Sequence, residues 1–177
     1  MKLLRFSLLA LALATSLQAV LTPREIKLKP HAEVEAVLPV DHPSAFYAYA
    51  SRLFAEGRKD DAISWLYIGQ LRYRLLLVAN PHLDANGEPA IFATLNATIG
   101  KMINDYAAGD PRMTCAQIDR ALAWDDSHPN RLTDKEKFAK PLADIRAGLL
   151  AMRQNMEKNI PTLLEQRRQA GLEVRGQ

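Results

Sequence analysis

Cysteine is nearly absent from this 177-residue chain, where Cys115 stands alone. A single thiol cannot close an internal disulfide, so packing has to hold the fold. There is no C-x-x-C-H, which excludes c-type haem attachment through that motif. G-x-S-x-G, a Walker loop and H-E-x-x-H are missing too, so the common hydrolase and nucleotide-binding signatures are not there. Paired-carboxylate chemistry survives this screen, because it needs only spatial pairing. The N-terminal apolar run is well short of the roughly 20 residues a spanning helix needs. Aromatic residues make up only 7%, yet the chain is 48% hydrophobic and 24% charged. That balance and length fit one globular domain with a real core.

Net charge is also small once the N-terminus is considered. Residues 1–19 read as a secretory signal peptide. Lys2 and Arg5 form a positive region, Phe6 to Ala14 an apolar one, and 15–19 a cleavage region with Ala19 at the cut. A cut after Ser16 and an uncleaved anchor are the alternatives. No Cys follows, which excludes a lipoprotein anchor. The formal charge of +3 then falls to +1, with 21 basic and 20 acidic side chains left. Export and near-neutrality both argue against nucleic acid as a partner. A periplasmic or secreted location follows from this reading. The basic residues gather late: residues 131–177 carry ten Lys/Arg against six Asp/Glu, the pattern of a solvated helix face.

Proline breaks residues 20–43 at Pro23, Pro30, Pro39 and Pro43. Ile26 and Leu28 alternate with Lys27 and Lys29, so this stretch is expected to be an extended N-terminal arm. Residues 44–177 read as a single helical domain. Ser44 is placed to cap a first helix with Phe46, Tyr49, Ala50 and Leu53 at helical spacing, and Gly57 to end it. A second helix runs from Asp60 or Asp61 to Asn80-Pro81. It is apolar almost all round, which predicts a central, buried helix. A third spans Glu88 to about Ala107. Asp110-Pro111 opens a fourth, carrying Cys115, Ile118 and Leu122. Thr133 and Glu136 match a capping box. The last segment bears Phe138, Leu142, Ile145, Leu149, Met152, Met156, Ile160 and Leu163, the most regular stripe in the chain. Pro141 and Pro161 are each expected to kink it or split it, with a first-turn position for Pro141 as the alternative. The fold class is therefore all-α, a bundle of five or six helices.

Residues 44–79 resemble a single tetratricopeptide or Sel1-like helical hairpin. One helix ends at Gly57, and the next opens with Asp61-Ala62 and an aromatic, Trp65, three residues on. No second copy follows at that period, so a solenoid is not expected. The resemblance implies a protein-binding role. In size, export signal and helical body the chain is similar to small exported bacterial immunity or inhibitor proteins that neutralise toxins.

Candidate chemistry is sparse. His31, His42, His82 and His128 lie in expected loops without the i, i+4 spacing of a helical metal site. They read as turn residues, and no metal or cofactor is expected. Glu56, Asp60 and Asp61 read as turn charges. Cys115 reads as a buried thiol. Seven of the eleven aromatics left after cleavage lie between Phe46 and Tyr73, more than one hairpin can bury on a single face. Arg72 and Arg74 flank Tyr73 on an otherwise apolar helix. Each needs an acidic partner, an escape to the surface or a ligand. Tyr and Arg are frequent interface hot spots, so Tyr47, Tyr67, Arg72 and Arg74 are the candidate partner-binding residues. No catalytic residue is assigned. The function expected is a non-enzymatic protein-binding module. A small enzyme with a carboxylate or metal site, and a small-ligand carrier, are the alternatives.

Overall fold

A computed structural model describes residues 21–175, whose regular structure is entirely helical, with no strand among them. The expected signal peptide, residues 1–19, lies outside the described residues. The α-helical segments are α1 (Pro23–Leu28), α2 (His31–Val37), α3 (Pro43–Ala55), α4 (Lys59–Ala79), α5 (Glu88–Leu95), α6 (Lys101–Ala107), α7 (Pro111–Ser127), α8 (Ala139–Lys158) and α9 (Ile160–Gln169). A π-helical turn, Asn96–Gly100, joins α5 to α6 in one continuous rod. The described residues thus hold eight rods where the sequence suggested five or six.

The additional rods lie where an extended arm was expected. Thr22 and Glu25 form a reciprocal capping box that starts α1 despite the prolines. Arg52 of α3 then donates to the carbonyls of Ile26 and Lys29, at 2.7 Å each. Those bonds satisfy the open C-terminal end of α1 from 23 or more residues away. Local sequence could not reveal them.

α3 and α4 form the central hairpin. His42, not Ser44, is the N-cap, with Pro43 in the first turn. Gly57 sits at φ +85°, and the Arg58 N–H reaches back to the Leu53 carbonyl at 2.9 Å. This left-handed stop is what a glycine makes cheap. Deeper in the hairpin, a Cβ on Gly69 would stand 2.9 Å from the Phe46 Cβ and 3.2 Å from the Tyr47 ring. Glycine is what lets the two helices approach so closely. α4 is buried on nearly all sides, as its apolar pattern indicated.

Asn96 accounts for the π turn. Its Oδ1 accepts from Tyr47 Oη and Gln70 Nε2, each at 3.0 Å, and its Nδ2 donates to the Phe92 carbonyl. Turning a polar side chain into the core satisfies three groups at once, in exchange for one widened helical turn.

Asp110 caps α7 by accepting from the Met113 N–H at 3.0 Å. The expected capping box at Thr133 does not form. Thr133 is buried and its Oγ1 has no hydrogen-bond partner. Asp134 instead accepts from the N–H groups of Glu136 and Lys137, and α8 begins only at Ala139. Pro141 falls in the first turn of α8, and Pro161 in the first turn of α9. The chain breaks between these helices at Asn159.

Candidate functional site

The first arginine of the candidate set lies at the centre of the molecule. Arg72 is 1% exposed, so it cannot meet a partner; this corrects the expectation from sequence. Its Nε donates to Asp125 Oδ1 at 3.0 Å, and its Nη1 and Nη2 to the carbonyls of Pro39 and His128, each at 3.3 Å. The guanidinium carbon lies 4.9 Å from the Trp124 ring centre and 5.3 Å from that of Phe46, within cation–π range. Burial weakens its hold on the proton and the Asp125 carboxylate opposes this. Asp125 is wholly buried, and its Oδ2 also lies 3.2 Å from Lys135 Nζ and 3.5 Å from Arg146 Nη1. Those two contacts are ionic, without a well-aligned hydrogen bond to Oδ2. Three cations thus surround one carboxylate. They tie α4, the turn before α3, the end of α7 and the start of α8 together. The arrangement is a structural clamp whose Arg72 and Asp125 are shut off from solvent, while Lys135 and Arg146 reach it from the surface side.

The two tyrosines are buried as well. Tyr47 gives its hydroxyl to Asn96. Tyr67 is 6% exposed, and burial pushes its phenol up to about 12. Of the four candidates only Arg74 is exposed, its guanidinium 5.7 Å from the Phe92 ring centre. All seven aromatics of the hairpin are buried or half-buried. The hairpin is covered on more than one side. Trp124 of α7 meets Phe46 and Trp65, Phe92 of α5 meets Tyr73, and Tyr106 of α6 meets Phe54.

Most of the other candidate titratable groups are tied up locally. His31 bridges Tyr49 Oη and the Glu56 carboxylate, both at 3.0 Å. His42 contacts Ser44 at 2.8 Å and Glu88 at 3.4 Å, and Glu88 also accepts from Tyr73 Oη. His128 stacks on Trp124 at 4.0 Å, while His82 is exposed. Asp61 is held by Arg58 and Arg120 at 2.7 and 2.8 Å. No three His, Cys, Asp or Glu residues among the described ones are placed to hold a metal ion. Cys115 is buried with its thiol pushed up by burial, and its Sγ faces the Arg153 carbonyl.

What the surface offers for recognition is an uncharged face. Residues 89–100 contain no Asp, Glu, Lys or Arg, and no residue of α5 is fully buried. Ile91 is 45% exposed, and Met102 follows at 40% beyond the π turn. A groove of two adjoining hollows, about 490 and 500 Å³, runs beside this face between α1 and α3. Both hollows are lined by Pro23, Ile26, Ala48 and Ile99. The small Ala45 and Ala48 on α3 leave its floor low. Sequence reading passed over this face, although the missing charges were visible. A second, mostly apolar cleft of about 290 Å³ lies between the start of α7 and the tail, lined by Pro111, Met156, Leu163, Arg167 and Leu172. Comparison with known family models, with curated proteins and with solved structures finds no match to this chain.

Proposed function

We propose that this protein is an exported, non-enzymatic protein-binding module, of the immunity or inhibitor kind that masks a toxic partner. The reading places it in the periplasm or outside the cell. The observation that carries it is the uncharged stretch 89–100, set on the surface beside a groove. A solvated helix face normally carries charges, and exposed apolar patches mark interaction sites. The partner would offer an aliphatic surface to Ile91 and to the groove at Ile99. The tetratricopeptide-like sequence pattern at 44–79 agrees with a binding role. The hairpin then acts as the scaffold that holds the face, and its aromatics are not contacts.

A photo-crosslinking residue at position 91 tests this in the envelope of the source cell, with position 140 on the exposed start of α8 as control. One partner trapped at 91 and not at 140 supports the proposal. Ile91→Glu should then weaken that partner at least tenfold with the fold intact. Equal trapping at both positions, or an unaffected Ile91→Glu, overturns it.

The cleft at Met156 favours a second reading, a carrier of a small apolar ligand. A polarity-sensitive naphthalene dye whose binding is lost on Leu163→Trp would support it. No dye binding would set it aside.

A further inference from the structure

One wall of the cleft beside Met156 is the tail that follows α9. Gly171 ends that helix at φ +67°, a left-handed turn that glycine makes cheap. The chain then doubles back, and Leu172 joins Pro111 and Leu163 in the lining. Arg175 fastens the far end. Its backbone N–H donates to the Gly109 carbonyl at 2.8 Å and its Nη2 to the Tyr106 carbonyl. Its guanidinium carbon lies 3.3 Å from the Tyr106 ring centre, within cation–π range. A Cβ on Gly109 would stand 3.0 Å from Arg175 Nε, so the bare backbone there makes room for the tail. Gly171, Leu172 and Glu173 are all exposed. A segment tied by a few polar contacts, with little apolar burial, opens at low free energy.

The lining also says what the cleft would take. Among the described residues that line it, Arg167 alone carries a charge, and most of the others are apolar. Its volume of about 290 Å³ is at the small end for ligand pockets and suits one hydrocarbon chain. Arg167 is engaged with neutral carbonyls, that of Glu173 through Nε at 3.1 Å and that of Asp105 through Nη2 at 3.4 Å. A carboxylate is the stronger acceptor for a guanidinium. An anionic head group therefore competes with the tail itself for Arg167.

We propose that this cleft binds a free fatty acid of medium length: the chain lies among Pro111, Met156 and Leu163, the carboxylate takes Arg167 from the Glu173 carbonyl, and residues 171–175 are a strap that unfastens at Arg175 to admit the ligand. The proposal narrows the carrier reading of the cleft and rests on it. It is independent of the face at 89–100.

Calorimetry on the full chain tests it with decanoate and with decanol, the same chain without the charge. Decanoate should bind one to one, about tenfold tighter than decanol. Arg167→Gln should weaken decanoate by about the same factor and leave decanol unchanged. If this variant does not fold, the wild-type preference decides alone. Arg175 lies beyond the last helix and outside the core, and Arg175→Ala should speed decanoate release severalfold in stopped flow. Equal binding of the two ligands, or an unaffected Arg167→Gln, overturns the fatty-acid assignment and leaves the carrier reading standing. Unchanged release from Arg175→Ala overturns the strap. Binding of neither ligand overturns the inference, and if the naphthalene dye fails as well, the carrier reading falls with it.

Discussion

α4 and α8 are nearly the same length and do opposite work. Fourteen of the 21 residues of α4 are buried, but only Leu142 and Leu149 of the 20 in α8. The sequence signal runs the other way, because the α8 stripe is the most regular in the chain and α4 shows almost none. A regular stripe reports contrast between two faces, so it marks a helix that lies on the surface. A helix in the centre loses the contrast because it has no face left for water. α4 therefore meets neighbours on several sides, including α3, α7, α6 and α8, while α8 lies along α7 as an outer layer.

The largest effect that would break this contrast is at the buried clamp. Asp125→Ala leaves Arg72 buried without its carboxylate, and should cost about 3–5 kcal/mol in denaturant unfolding. Replacing both partners with leucine should recover part of that loss. If Asp125→Ala costs no more than a surface change, the clamp is not what holds α4.

The glycines of the two helices come next and should differ in sign. At Gly69 an added Cβ meets Phe46 and Tyr47 of the facing helix. Gly69→Ala should destabilise by about 1–3 kcal/mol through overpacking. At Gly148 of α8 nothing lies within 4 Å of the added Cβ. Gly148→Ala should stabilise by roughly 0.5–1 kcal/mol through helix propensity. Loss of stability at both positions would mean that α8 is packed as tightly as α4.

Acid should have the smallest effect and reach α1 and the turn between α3 and α4 first. Thr22 N–H holds the Glu25 carboxyl low, and Arg52 does the same for Glu56. Burial pushes Asp61 up, but Arg58 and Arg120 outweigh it and the net shift is downward. A carboxyl depressed in the folded state adds stability above its unfolded value near about 4, and loses it as pH falls through the folded value. Melting temperature should hold on the neutral side of that window and decline below it, with Arg52→Gln flattening the decline. A melting temperature that does not fall below that window would count against these pairs.

Much of the framework was legible because it is local. Gly57, Asn80-Pro81 and Asp110-Pro111 mark the boundaries of α3, α4 and α7 through turn and cap chemistry within a few residues. The short helices in 20–43 were not legible, since Arg52 ties the end of α1 to α3. The burial of Tyr47, Tyr67 and Arg72 was illegible for a related reason. Arg72 was left among an acidic partner, the surface and a ligand, and Asp125 lies 53 residues further on. Tyr47 and Tyr67 look like hot spots when the hairpin is considered alone. They become core once α5, α6 and α7 close over it. The face at 89–100 was legible only as a gap in the charge pattern, which takes on meaning when the helix is seen to lie outside.

Native-state hydrogen exchange tests the contrast between α4 and α8 most directly, because it reads the opening free energy of each helix. The expected result is that amides in the middle of α4, around Leu66 to Tyr73, exchange only through global unfolding. Those of α8 and α9 should open at distinctly lower free energy. Equal protection across α4 and α8 would contradict the account, since both helices would then belong to one core.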